Sequence, residues 1–74
     1  MWRVSITCSG VAWKRYAVDF KNLADKYQGE CITSKKMPDG TRIMDYKIED
    51  VSDAEAFGED CTNFAGFTAY FESL

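Results

Sequence analysis

Within 74 residues the spacing of apolar side chains switches from two to between three and four, and back again, twice. A period of two turns alternate side chains to opposite faces of a strand, and a period near 3.6 lines one stripe of a helix, so these switches restrict the chain to mixed α and β structure. Trp2, Val4, Ile6 and Cys8 alternate with Arg3, Ser5 and Thr7, which predicts a strand with one apolar and one polar face. Ser9-Gly10 breaks that pattern and can open a helix. From there Trp13, Tyr16, Ala17, Phe20, Leu23, Ala24 and Tyr27 fall on one stripe. Arg15/Asp19 and Lys21/Asp25 on the other side are i,i+4 pairs of opposite sign, and Gly29 supplies a left-handed stop.

Pro38-Asp39-Gly40 has the turn chemistry of a β-hairpin: proline presets φ, and glycine accepts a positive φ. Its arms are 31–37 and 41–48. Lys35-Lys36 in the first arm suits a sheet edge, where charge discourages unwanted pairing. In the second arm Met44, Tyr46 and Ile48 form the more apolar set, although Ile43 points the other way. Ser52-Asp53-Ala54-Glu55 fits a capping box, which starts a second helix near Asp53. The stripe of that helix is Ala54, Phe57, Cys61, Phe64 and Ala65, and Gly58 weakens it. Gly66 is placed to end that helix, and after it Phe67, Ala69 and Phe71 alternate with Thr68, Tyr70 and Glu72, which favours a last strand.

The resulting order, β-α-β-β-α-β, implies a ferredoxin-like α+β sandwich of residues 1–74 as a single domain. Two helices would cover one face of a four-stranded antiparallel sheet, with the first and third strands central. The alternative is a βαββα fold with a three-stranded sheet and a long C-terminal helix, which arises if residues 67–73 stay helical.

A domain this small buries only about 60% of its unfolded surface. The 46% apolar and 15% aromatic content offsets that thin margin and argues against disorder. No apolar run approaches the ~20 residues of a membrane helix. Met1-Trp2-Arg3-Val4-Ser5 enters the strand pattern without the charged and apolar regions of a secretory signal, so a cytoplasmic product is expected. Cys8, Cys31 and Cys61 are odd in number and widely spaced, so they fit buried apolar residues rather than a disulfide framework or zinc site. With no histidine, the commonest metal ligand and the commonest neutral-pH base are missing. No cofactor, no metal and no catalytic role are expected.

Charge is polarised. Residues 1–44 carry eight Lys/Arg against four Asp/Glu, and residues 45–74 carry one Lys against eight Asp/Glu. Glu49, Asp50, Asp53, Glu55, Glu59 and Asp60 make a negative stretch that could grip a basic surface, and they are the expected partner-binding residues. Arg3, Lys35, Lys36 and Arg42 are the set that could touch the phosphates of a nucleic acid. The aromatic signature of the RNA-recognition motif is missing. Gly10-Val11-Ala12-Trp13-Lys14 and Pro38-Asp39-Gly40 are similar to two short segments of the acylphosphatase family, which shares this element order. Here, however, Lys14 stands for the family's arginine, Lys36 for its asparagine, and the phosphate loop is short.

These features favour a small non-enzymatic interaction module that inhibits or modulates a protein partner. Phage or mobile-element anti-defence proteins, such as anti-CRISPR or anti-restriction inhibitors, are the leading class. Nucleic-acid binding through the basic hairpin and a small-molecule-sensing dimer are the alternatives. The sequence is compatible with a homodimer, formed through either sheet edge or head to tail between the basic and acidic halves, and a membrane partner is not expected.

Overall fold

In the computed structural model, which describes all 74 residues, the elements follow the chain as β1 (Trp2–Cys8), α1 (Gly10–Lys26), β2 (Glu30–Lys36), β3 (Arg42–Ile48), α2 (Val51–Thr62) and β4 (Phe67–Ser73). The four strands form one antiparallel sheet in the order β2-β3-β1-β4. This is the ferredoxin-like α+β arrangement. The closing segment is a strand, so the three-stranded alternative does not apply.

Alternation decides which way each strand faces. Val4, Ile6 and Cys8 of β1 are buried under the helices, as are Met44 and Ile48 of β3 and Phe67 of β4, and the Tyr46 ring packs on the same cluster. Ile43 lies on the opposite face, which settles the β3 ambiguity in favour of Met44, Tyr46 and Ile48. From above, α1 contributes Ala12, Phe20 and Ala24, and α2 contributes Ala54, Phe57 and Cys61. Phe20 sits at the centre. Its ring lies 5.4 Å from Tyr46, 5.8 Å from Trp13, and 5.9 Å from both Phe57 and Phe67. Aromatic pairs at such distances add to the large area each ring removes from water.

The helix ends depart from the sequence expectation in three places. First, α1 begins as expected, with Ser9 Oγ accepting from the Ala12 N–H at 3.1 Å, but its left-handed terminal residue is Gln28 (φ 54), not Gly29. Gln28 and Gly29 donate to the carbonyls of Asp25 and Ala24, a Schellman closure. Gly29 gives the Tyr46 ring room, because a Cβ there would stand 3.2 Å from it and the ring would have to shift by a few tenths of an ångström. Second, α2 is capped by Asp50, not Ser52. The Asp50 carboxylate accepts from the Asp53 N–H at 3.2 Å, and the helix starts at Val51. An anionic cap also meets the positive end of the helix dipole, which a hydroxyl does not do. Third, α2 ends at Thr62, before Gly66. Gly66 (φ 85) instead turns the chain into β4, in a turn closed by the Phe67 N–H and the Phe64 carbonyl at 3.1 Å.

The two glycines around α2 should respond to alanine in opposite directions. At Gly66 a Cβ would meet the Ala12 methyl at 2.9 Å and would carry a positive φ, so Gly66→Ala should cost about 1–3 kcal/mol. At Gly58 a Cβ would lie 4.0 Å from Val4 and Ala69, ordinary contact distances, so Gly58→Ala should stabilise the fold by about 0.5–1 kcal/mol. Urea denaturation midpoints test both expectations.

Candidate interaction surface

The sheet face without helices is polar and largely self-neutralised. Strand register builds it in rows. Glu30, Lys47, Arg3 and Glu72 form one row, with ion pairs at both ends: Arg3 with Glu72, and Lys47 with Glu30 at 3.4 Å. The next row holds Thr33, Asp45, Ser5 and Tyr70, with Ser5 Oγ donating to Asp45 at 2.7 Å. Tyr70 is the one aromatic side chain on this face, because Tyr46 is turned into the core. A run of stacking rings of the kind that holds RNA bases is therefore absent.

The six carboxylates of residues 49–60 separate into three groups around α2. Glu49, Asp50 and Asp53 line a cleft of about 260 Å³ with Tyr27, Gln28 and Lys47. Asp60 is turned toward α1 and accepts a 2.6 Å hydrogen bond from the Tyr27 hydroxyl. Glu55 and Glu59, one turn apart, wall a groove of about 380 Å³ between α2 and β4. Two of the six therefore have internal work, Asp50 as a cap and Asp60 as an acceptor. Glu49, Asp53, Glu55 and Glu59 are exposed and lie outside both salt bridges of the protein.

The basic set is dispersed. Arg3 and Lys35 project from the open face, whereas Lys36 and Arg42 project from the helix side, where with Lys14 they border a cleft of about 400 Å³ at the start of α1. The Arg42 guanidinium lies 4.6 Å from the Trp13 ring and donates to Ser34 Oγ at 3.3 Å. The two acylphosphatase-like segments meet in this cleft, and a Cβ on Gly10 would stand 3.0 Å from the Gly40 carbonyl oxygen. The cleft also holds Asp39, whose carboxyl is kept below its usual range by the Thr41 N–H.

Cys8 and Cys61 are buried, and burial pushes both thiols up, Cys61 to about 12; Cys31 is exposed on β2. No three carboxylate or thiol groups converge closely enough to hold a metal ion. No helix is long and apolar enough to cross a membrane.

One feature was missed by sequence reasoning. The α2–β4 groove is bordered by two exposed aromatic residues of β4, Tyr70 and Phe71. Its signal was the adjacent pair Tyr70-Phe71, since neighbours on a strand cannot both face inward.

No family model matches this chain, and no curated protein matches it in sequence. Among solved structures it is similar to the uncharacterized protein TM1266 from Thermotoga maritima. The TM-score is 0.71 at 11% identity, covering 99% of this chain and 94% of that one. At that identity the likeness establishes the fold alone.

The titrating groups around α2 predict alkaline lability. Donation to Asp60 raises the Tyr27 phenol to about 12, and burial raises Tyr46 and Cys61 to about 12. Each is higher in the folded chain than its ordinary value of 10.0 or 9.0, so its stabilisation is complete below that value and is lost as pH rises toward 12. The Tm should be flat up to about pH 9 and fall steeply between there and pH 12. Tyr27→Phe should lower stability at neutral pH by about 1 kcal/mol and flatten the alkaline fall. Thermal melts across that range, followed by circular dichroism, provide the check.

Proposed function

We propose that this chain is a small non-catalytic module that binds a protein with a basic surface and inhibits or modulates it. A phage or mobile-element anti-defence protein, of the anti-CRISPR or anti-restriction kind, is the leading class. The observation that carries this reading is the contrast between two surfaces. On the open sheet face, Arg3 pairs with Glu72 and Lys47 with Glu30, Asp45 accepts from Ser5, and Lys35 alone carries a charge without a partner. Around α2, Glu49, Asp53, Glu55 and Glu59 are exposed with no cation bonded to them. Unneutralised charge of one sign, held on a rigid helix, steers and selects an oppositely charged partner without paying much entropy on docking. The basic side chains offer a nucleic acid no comparable surface, since they project from opposite faces of the sheet and Arg3 and Arg42 already hold protein partners.

The test is inhibition of purified CRISPR effector nucleases and restriction endonucleases, read as DNA cleavage. Comparison is with the variant Glu49→Lys/Glu55→Lys/Glu59→Lys, which spares the Asp50 cap and the Asp60 hydrogen bond. The wild-type chain should slow at least one enzyme, and the variant should be weaker by about ten-fold or more. Inhibition should also weaken as salt rises from low to physiological. An unaffected panel rules out the anti-defence class, and full potency in the variant rules out the acidic surface.

A further inference from the structure

The sheet has two edges, and they are built differently. The β2 edge is protected: it carries Glu30, Lys35 and Lys36, and its ladder to β3 is broken by a register shift between Cys31 and Thr33. Charge and bulges are the devices by which sheets discourage strand addition. The β4 edge has no bulge and no unpaired charge. It pairs with β1 in unbroken register from Phe67 to Ser73, contains no Lys, Arg or Pro, and its one charge, Glu72, is held by Arg3. In its second half Tyr70 and Phe71 are 61% and 37% exposed, and Leu74 just past its end is 59% exposed. Beside it runs the α2–β4 groove, with Gly58 and the Ala69 methyl in its lining and with Glu55 and Glu59 on its α2 wall.

We infer that the β4 edge takes up an extended segment of the partner by strand addition. That segment carries Lys or Arg on the side turned toward α2 and apolar residues on the alternate positions. The inference rests on the protein-binding reading above and assigns its contact surface. An added strand would satisfy the outward main-chain groups of β4, and its alternate side chains would lie in the groove against Glu55 and Glu59. Charge decides the occupant. If a second copy paired its β4 here, the two α2 helices would lie side by side on one face of the joined sheet, setting the Glu55 and Glu59 carboxylates of one against those of the other. Like charges so placed are destabilising, and each chain already carries a net −3. A cationic strand meets the same carboxylates favourably.

A display library of random peptides about ten residues long, the upper range of natural strand length, supplies the probe. Selection is against the intact wild-type chain. The enriched peptides should alternate basic with apolar residues and should slow amide hydrogen exchange across Phe67–Ser73. They should bind Glu55→Lys/Glu59→Lys about ten-fold or more weakly, with Glu55→Gln/Glu59→Gln intermediate, and Tyr70→Lys, which copies the protection of β2, should block them. Asp19→Lys, an equal charge reversal at an exposed position on α1 outside the acidic surface, should leave binding unchanged. No enrichment, exchange protection elsewhere, or indifference to the Glu55/Glu59 variants overturns the inference. So does a dimer in solution that Tyr70→Lys dissociates, since a second copy would then be the occupant. If peptides bind as expected while the triple charge variant inhibits at full strength, the functional proposal fails and the edge site stands.

Discussion

The packing of this protein turns on the Phe20 ring. It is fully buried and touches aromatic side chains from every layer: Trp13 on its own helix, Tyr46 on β3, Phe57 on α2 and Phe67 on β4. In so short a chain one such contact is a large fraction of what holds the helices to the sheet. It also requires both helices to lie on the same side, because rings from α1 and α2 must reach the same point. The opposite sheet face is then left to water, and the polar residues of β1, β3 and β4 alternate onto it.

That arrangement governs where charge is spent. On the open face, neighbouring strands supply partners at hydrogen-bonding distance, so Arg3, Glu72, Lys47, Glu30, Ser5 and Asp45 are consumed within the protein. On α2 the neighbours are an apolar core below and solvent above. Only Asp50 and Asp60 find internal donors. The surplus of carboxylates is therefore a surface property of one helix, adjacent to one unprotected sheet edge, while the other edge is charged and bulged.

Much of the fold was legible in the residues because it depends on local rules. Alternation in Trp2–Cys8 and in Phe67–Ser73, the 3.6 stripe through Phe20, and the Pro38-Asp39-Gly40 turn each express a short-range steric or solvation preference, and each is found as expected. The errors fall at helix ends, where several residues compete for one role. Ser52 and Asp50 can both cap α2, and the charged oxygen of Asp50 takes the position. Gly29 and Gln28 can both close α1. There Gln28 takes the left-handed conformation, while Gly29 leaves room for the ring of Tyr46, 17 residues further along the chain. The candidate site was legible only as composition. Six acids in sequence separate into a cap, a hydrogen-bond acceptor and an exposed set. Lys35 and Lys36 point to opposite faces for the same reason that makes a strand alternate.

By itself the sequence determined the order and type of the six elements and the apolar side of each, since these follow from spacing along a single segment. It determined too that negative charge would gather on the second helix. Tertiary structure alone decided which acids remain free, which basic residues are neighbours, and which sheet edge is open. Those outcomes depend on side chains brought together from distant parts of the chain. A hydrogen bond such as Tyr27 to Asp60, or the groove between Gly58 and Ala69, exists only once the aromatic core has fixed the distance between the layers.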